Sequence, residues 1–174
     1  MNVNIIKAAV FAKLKHEGQI RKFTGEKYVQ HPIRVAANAK RYGLSDNAIM
    51  AGYLHDTVED TDTKLSEIRS MFGDEVADLV AELTLDKTSY YDQESKTKYI
   101  TNEINKMSDE AFTVKLLDRL DNVYNLSEAP IKFGKKYSLE TSQIMDNIRP
   151  RSSLDVKLIK EIIAAIQPVY DMYW

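Results

Sequence analysis

The segment 51–61 (AGYLHDTVEDT) concentrates residues that can bind a metal ion and activate water. His55 and Asp56 are adjacent, and a second acidic pair, Glu59 and Asp60, follows three residues later. The preceding apolar residues have helical spacing, which predicts that the His-Asp pair lies at the inner end of a core-facing helix. Imidazole and carboxylate groups that converge there are costly to bury unless they are paired or bind a cation. A metal site is therefore indicated, and a simple buried His-Asp hydrogen bond is the alternative.

The basic loop RKFTG, residues 21–25, is a second candidate for ligand binding. Arg21 and Lys22 could hold a phosphate group, the planar Arg side chain could also stack on a base, and Thr24 adds a hydroxyl. An exposed basic turn is the alternative interpretation of this loop.

Two more polar positions are expected to face the interior. His31 precedes Pro32, and because proline favours the first helical position, His31 is predicted at a helix N-cap. Asp118 and Asn122 lie four residues apart in a leucine-rich helix, so they share one face. Asp118 is expected near the buried edge of the apolar stripe, with a solvated Asp as the alternative.

Hydrophobic periodicity predicts an all-α fold, because no segment sustains the alternation typical of strands. Helices are predicted over residues 5–16, 32–42, 46–54, 65–72, from 74, from 96, 109–126, 139–148 and 154–166. The TDT sequence at 61–63 is expected to cap the fourth of these helices. A polar surface loop is predicted from Asp86 to Ser95, and Pro130 and Gly134 are expected to bracket a connection.

The composition favours one domain over residues 1–174. Apolar residues make up 44% of the chain and charged residues 29%, which is enough to bury one core. No apolar run approaches the roughly eighteen residues of a membrane span, and lysines interrupt the N-terminal apolar stretch, so we predict a cytoplasmic protein. The absence of cysteine excludes thiolate metal sites and cysteine nucleophiles, which leaves His, Asp and Glu as strong metal ligands.

The charges are unevenly distributed along the chain. Residues 1–45 contain nine basic and two acidic residues, whereas residues 46–82 contain two basic and ten acidic residues. Such segregation suits a site with a cation on one wall and phosphate groups on the other. Solvated helix faces that differ in sign are the alternative.

Four motifs, taken together and in order, resemble the hydrolase domain of the Rel/SpoT family within the HD phosphohydrolase superfamily. They are RKFTGEKYVQHP, AGYLHDTVEDT, AELTLDK and VKLLDRLDN. The resemblance covers residues 5–126, and because the chain has no room for a synthetase domain, the small alarmone hydrolases are the most similar group.

The resemblance implies a role for each matching position. The metal ligands would be His31, His55, Asp56 and Asp118, with manganese as the metal; Glu59 and Asp60 would handle the attacking water; Arg21, Lys22, Thr24 and Asn122 would hold the guanine nucleotide. Two imidazoles and two carboxylates form a hard ligand set, which also suits Mn²⁺ on chemical grounds.

These observations lead to three hypotheses. The first is Mn²⁺-dependent removal of the 3′ pyrophosphate from ppGpp or pppGpp, which gives GDP or GTP. The second keeps the site but changes the substrate to another nucleotide, such as the 2′-phosphate of NADPH. The third is a non-catalytic module that binds alarmones. All three expect a small-molecule nucleotide as the partner, and neither a nucleic acid polymer nor a membrane.

Two departures from the family pattern are expected to affect substrate choice more than the metal. Phe23 and Thr24 separate the basic pair from Gly25, where a single small residue is usual. Asp121 stands where His or Tyr is commoner.

Overall fold

A computed structural model describes residues 2–86, 88–89, 91–124 and 126–171. The α-helices of these residues are α1 (Val3–Lys15), α2 (Gln30–Arg41), α3 (Asp46–Leu54), α4 (Thr57–Asp60), α5 (Leu65–Phe72), α6 (Asp74–Leu83), α7 (Gln93–Lys106), α8 (Asp109–Tyr124), α9 (Ile131–Asn147) and α10 (Ser153–Asp171). A 3-10 helix, Leu126–Glu128, joins α8 to α9. The described residues contain no strand beyond an isolated bridge between Ile20 and Lys27, so the predicted all-α fold is confirmed.

Helix α8 is the central element of the fold. Of its 16 residues, 12 are buried, because α2, α3, α6 and α10 all pack around it. This burial includes charged side chains, among them Lys115, Asp118 and Arg119. Charged groups buried in this way need partners or a ligand. Helix α8 therefore brings several polar side chains together in the interior.

Helices α2 and α3 approach each other closely beside the same region. Gly52 of α3 faces Ala36 of α2, and a Cβ atom at Gly52 would lie 3.1 Å from the Ala36 Cα atom. The hydroxyl of Ser45 caps α3 by accepting a hydrogen bond from the Ala48 N–H. Helix α3 ends at Leu54, and His55 follows it directly as the C-cap residue.

Helix α9 begins earlier than the sequence predicts. The sequence places Gly134 in a connection, but the helix starts at Ile131 and contains Gly134 in its first turn. The glycine is buried, and a Cβ there would meet the Leu126 carbonyl oxygen and Val169 at 3.5 Å. Tertiary packing therefore outweighs the low helix propensity of glycine at this position.

Other helix boundaries also differ in detail. Helix α2 begins at Gln30, so His31 lies in its first turn and not at the N-cap. Helix α5 starts after Lys64, which is its N-cap residue and makes no side-chain cap, so the predicted cap by 61–63 is wrong. The hydroxyls of Thr61 and Thr63 bond to each other instead. Helix α7 starts at Gln93, since the Asp92 side chain caps it. Within the predicted loop 86–95, Lys87 and Tyr90 lie outside the described residues.

None of the helices among the described residues has both the length and the hydrophobicity needed to cross a membrane.

Candidate metal and nucleotide site

Four side chains carried by α2, α8 and the end of α3 converge at one buried point. The Nε2 atoms of His31 and His55 are 3.3 Å apart. Asp118 Oδ1 lies 3.2 Å from the first of these atoms and 3.8 Å from the second. Asp56 Oδ2 lies 3.5 Å and 3.2 Å from the same two atoms. Ligand atoms of His31, His55 and Asp118 lie within 4.8 Å of one another, so these residues could hold a metal ion. We call this candidate site, together with Asp56 beside it, the metal cluster.

The hydrogen bonds behind the two imidazoles favour metal binding at Nε2. His55 Nδ1 faces the Gly52 carbonyl oxygen at 2.9 Å, and His31 Nδ1 faces Asp121 Oδ2 at 2.7 Å. Because a carbonyl and an ionised carboxylate only accept, each Nδ1 carries the hydrogen. In the neutral rings both Nε2 atoms then present lone pairs to the same point, beside two carboxylates. That donor set fits a divalent cation of the hard or borderline type.

The pKa shifts in the metal cluster show that it attracts positive charge. Burial lowers the pKa of both imidazoles, but Asp118 and Asp121 outweigh it at His31, and Asp56 and Asp118 outweigh it at His55, so both imidazole pKa values are raised. Burial likewise raises the pKa of Asp118, yet the charge of Lys115 and the hydrogen bond to His31 hold it well below its ordinary value. The carboxylates therefore stay ionised, as metal ligands must be.

A polar cavity of about 220 Å³ opens beside the metal cluster. Three cations line it: Lys96, Lys115 and Arg119. Lys115 Nζ lies 2.9 Å from Asp118 Oδ2 and is almost fully buried. Lys96 and Arg119 both approach the buried carboxylate of Glu140, at 2.7 Å and 3.5 Å. Cations at this position could neutralise the charge of a phosphate group.

Sequence reasoning did not single out these three cations. Lys115 stands three residues before Asp118 and Arg119 one residue after it, in the VKLLDRLDN motif. This closeness in sequence could have indicated that both cations lie near the site. Lys96 comes from α7, and only the packing of α7 against α9 brings it to the cavity.

The acidic pair after the His-Asp motif lies on the rim of the polar cavity. Glu59 and Asp60 close the short helix α4, and both line the cavity. The Tyr28 hydroxyl lies 2.7 Å from Asp56 Oδ2 and 3.2 Å from Asp60 Oδ2. Glu59 Oε2 accepts from the Leu85 N–H at 3.4 Å. Tyr28, which sequence reasoning missed, thus links the cluster to the acidic pair.

A second, largely apolar cavity of about 250 Å³ adjoins the first. The predicted substrate residues Arg21, Lys22, Thr24 and Asn122 all line it, together with Phe23, Phe133 and Tyr137. The rings of Phe23 and Phe133 are 4.6 Å apart, and those of Phe133 and Tyr137 are stacked at 5.7 Å. Tyr28, Asn122 and Tyr137 line both cavities, so the two cavities adjoin each other.

Arg21 is held in place by a hydrogen bond to α8. Its Nη2 donates to Asn122 Oδ1 at 2.9 Å, and Asn122 Nδ2 donates to Asp118 Oδ1 at 2.6 Å. The structure therefore connects the basic loop to the metal cluster through two hydrogen bonds. The aromatic rings of Phe23 and Phe133, which sequence spacing could not bring together, are better placed for stacking.

Similarity to known proteins shows the family of this chain. The HD domain family matches residues 8–153. Guanosine-3′,5′-bis(diphosphate) 3′-pyrophosphohydrolase MESH1 of Drosophila melanogaster is 35% identical over 157 residues, which cover 85% of this chain and 87% of that protein. The chain belongs to the HD-domain guanosine-3′,5′-bis(diphosphate) 3′-pyrophosphohydrolase family.

Other members of this pyrophosphohydrolase family are much longer. The pyrophosphohydrolase of Aquifex aeolicus is 40% identical over 141 residues, which are 80% of this chain but 20% of that protein. The chain spans about a fifth of the length of several curated relatives that it matches.

Solved structures support the fold of the pyrophosphohydrolase family. A metazoan SpoT ortholog, described as hydrolysing ppGpp, superposes with a TM-score of 0.81 at 24% identity and covers 99% of this chain and 96% of that one. A protein from Listeria monocytogenes EGD-e superposes with a TM-score of 0.69 at 30% identity, over 84% of this chain and 99% of that one.

The structure changes the interpretation of Asp121, one of the departures from the pyrophosphohydrolase pattern. The sequence predicts that Asp121 affects substrate choice more than the metal, but its carboxylate contacts the ring of His31 and is held by Arg34. Its pKa is lowered, because hydrogen bonds from His31 and Arg34 outweigh the opposing effect of burial. Asp121 therefore acts first on a residue of the metal cluster.

Proposed function

We propose that this protein is a manganese-dependent hydrolase that removes the 3′ pyrophosphate from ppGpp or pppGpp, giving GDP or GTP. The observation that carries the proposal is that the two cavities adjoin and share Tyr28, Asn122 and Tyr137 in their linings. A cluster of two imidazoles and two carboxylates lies beside a cavity lined by three cations, and a second cavity lined by aromatic rings adjoins the first. A nucleotide with phosphates on one side and a base on the other matches this division.

Each part of the site has a proposed task. His31, His55, Asp56 and Asp118 would hold the metal, which supplies a more acidic bound water and charge neutralisation. Lys96, Lys115 and Arg119 would bind the pyrophosphate oxygens. Glu59 or Asp60 would orient the water and take one of its protons as the water oxygen bonds to the phosphorus attached to the 3′ oxygen. The bond from that phosphorus to the 3′ oxygen would break, and the proton taken from water would pass to the 3′ oxygen, which leaves as a hydroxyl. Phe23, Phe133 and Tyr137 would pack against the base, with Arg21 and Asn122 at its edge.

A second substrate is favoured by one feature of the loop. The ring of Phe23 extends the aromatic wall onto Phe133, so the apolar cavity could accept a base other than guanine. The 2′-phosphate of NADPH, presented to the same cations, is the specific alternative.

Product analysis tests these proposals. Purified protein and Mn²⁺ are incubated in three separate reactions, with ppGpp, pppGpp or NADPH. The products are separated by anion-exchange chromatography. Pyrophosphate with GDP or GTP is the expected result, whereas orthophosphate from NADPH alone would move the function to the second substrate. Binding without turnover of any nucleotide would indicate a non-catalytic module. The Asp118→Asn variant serves as the control, and we expect it to release no product.

A further inference from the structure

Asp121 lies behind His31, on the side of the imidazole opposite the metal cluster. Its Oδ2 is 2.7 Å from His31 Nδ1, while His31 Nε2 points at Asp118 Oδ1, 3.2 Å away. Both Asp121 and His31 are almost completely buried. The ring is therefore held between a carboxylate on one side and the metal cluster on the other.

Arg34 holds the carboxylate of Asp121 in one orientation. Arg34 Nε donates to Asp121 Oδ1 at 2.6 Å, and Nη2 donates to Oδ2 at 3.1 Å. The remaining side of the guanidinium donates to Glu26 Oε1 at 2.7 Å. A two-point contact of this kind fixes the plane of the carboxylate, so Oδ2 stays aimed at the imidazole.

We propose that Asp121, held by Arg34, is a positioning residue that fixes the metal-binding tautomer of His31 and thereby sets the affinity of the site for its divalent cation. The inference rests on the metal site of the proposed function. An acceptor at Nδ1 keeps the hydrogen on that nitrogen and leaves the Nε2 lone pair for the metal. The same carboxylate increases the basicity of the ring as a ligand.

The variant Asp121→Asn tests the tautomer directly. Its single oxygen can occupy either carboxylate position, and the NH₂ group takes the other. An NH₂ group at the Oδ1 position would face the Arg34 Nε–H across only 2.6 Å, whereas at the Oδ2 position it would face Arg34 Nη2 at 3.1 Å. Because the shorter contact opposes an NH₂ group more strongly, the amide should turn its NH₂ toward His31. His31 must then accept at Nδ1 and carry its hydrogen on Nε2, which opposes metal binding.

Metal affinity is the measurement, made with Mn²⁺ alone in competition with a chelating indicator dye. We expect Asp121→Asn to bind Mn²⁺ about 10- to 100-fold more weakly than the unaltered protein. An unchanged dissociation constant would overturn the proposal. Because no nucleotide is present, the result does not depend on whether ppGpp is the substrate.

A double variant distinguishes positioning from general destabilisation. In Asp121→Asn with Arg34→Met, the Nε–H that opposes an NH₂ group at the Oδ1 position is gone, while Arg21 Nη1, 3.8 Å from Oδ2, favours an oxygen on that side. The amide oxygen can therefore accept from His31 Nδ1 again. We expect the double variant to recover Mn²⁺ affinity at least severalfold relative to Asp121→Asn. If the double variant binds Mn²⁺ as weakly as Asp121→Asn or more weakly, Asp121 has only a structural role and the proposal fails.

Asp155 provides the matched control. It is as deeply buried as Asp121 and accepts hydrogen bonds from Thr113 and from the Ser152 N–H, at a place where α8 meets α10. Asp155→Asn removes a buried carboxylate charge in the same way, and we expect a lower melting temperature with unchanged Mn²⁺ affinity. A matching loss of affinity in Asp155→Asn would attribute the effect to lost stability and overturn the proposal.

Discussion

His31 and His55 can share one cation because their Nε2 atoms face each other at 3.3 Å. Two neutral imidazoles would otherwise bring two lone pairs together, beside the carboxylates of Asp56 and Asp118. The site is thus unfavourable without a bound positive charge, whether a proton or a metal ion. This residue-scale arrangement leads to the first prediction.

Replacing any member of the metal cluster should remove most of the bound metal. We expect His31→Ala, His55→Ala, Asp56→Ala and Asp118→Ala each to lose most Mn²⁺ and nearly all turnover, because each takes away one ligand from a set of four. Elemental analysis of the purified variants measures the stoichiometry. His16→Gln is the control, since the third histidine of the chain lies outside the cluster. A variant that keeps full stoichiometry would remove its residue from the ligand set.

The acidic pair should matter for chemistry and not for binding. Glu59→Gln and Asp60→Asn keep the shape of the cavity rim but remove a proton acceptor. We expect at least one of them to lower kcat by roughly 10² or more, with Mn²⁺ affinity and KM nearly unchanged. Steady-state kinetics with ppGpp at fixed Mn²⁺ measures both constants.

Arg21→Ala is the contrasting variant for this experiment. Arg21 lines the apolar cavity and donates to Asn122, so we expect its loss to appear mainly in KM, by roughly 10- to 100-fold. An unchanged kcat in both acidic variants would show that neither residue activates the water. An unchanged KM in Arg21→Ala would show that the basic loop is only a structural turn.

At the scale of elements, the distance between α2 and α3 should control the metal cluster. Gly52 allows the helices to approach, since a Cβ there would lie 3.1 Å from the Ala36 Cα. Helix α2 carries His31, and His55 follows α3. We expect Gly52→Ala to destabilise the protein by about 1–3 kcal/mol and to weaken Mn²⁺ binding, because the added methyl group pushes the two ligands apart.

Gly134→Ala is the matched control for this prediction. Gly134 is also a buried helical glycine, but its Cβ would meet its neighbours at 3.5 Å, which is ordinary van der Waals contact. We expect unchanged Mn²⁺ affinity and stability equal to or greater by up to about 1 kcal/mol. Chemical denaturation and metal titration measure both effects. Equal behaviour of the two variants would refute the spacing argument.

The elements that follow local rules were predictable from sequence, and those that depend on packing were not. The Ser45 cap and the helix leading into His55 follow from local residue types. The early start of α9 does not, because burial of Gly134 against Leu126 and Val169 decides it. The same distinction holds in the site, where motifs predicted the metal cluster, while the contacts of Asp121 and Lys96 depend on how distant helices meet.

At the scale of the whole molecule, the charge segregation of the sequence has a partial structural counterpart. The polar cavity holds acidic residues of the segment 46–82, namely Asp56, Glu59 and Asp60, whereas Arg21 and Lys22 of the basic segment 1–45 line the adjoining apolar cavity. The cations closest to the metal cluster come instead from α7 and α8. The segregation of charge along the chain therefore accounts for the position of the basic loop 21–25. It does not account for the positions of Lys96, Lys115 and Arg119.

The pKa shifts predict opposite pH dependences for the metal-free and metal-loaded protein. In the metal-free protein, His31 and His55 have pKa values raised above 6.5, so their stabilisation is complete below about pH 6.5 and is lost as the pH rises through the folded-state values. Asp56 and Asp118 have pKa values lowered below 3.8, so their stabilisation is present above pH 3.8 and is lost as the pH falls through the lower folded-state values. The metal-free protein should therefore be most stable between about pH 4 and pH 6.5.

Thermal melting from pH 5 to pH 9, with either EDTA or saturating Mn²⁺, measures this dependence. With EDTA, we expect the melting temperature to fall above pH 6.5, because the two imidazolium groups lose their protons between the carboxylates. With Mn²⁺ the fall should vanish or reverse, because the metal binds neutral imidazoles and its affinity increases with pH. A tenfold difference in proton affinity between the folded and unfolded states is worth about 1.4 kcal/mol, and each kcal/mol moves the melting temperature of a domain of this size by about 2–4 °C. In His55→Ala, which lacks one of the titrating groups, the fall with EDTA should be smaller. A melting temperature that stays constant with EDTA from pH 6.5 to pH 9 would show that the cluster does not hold protons in place of a metal.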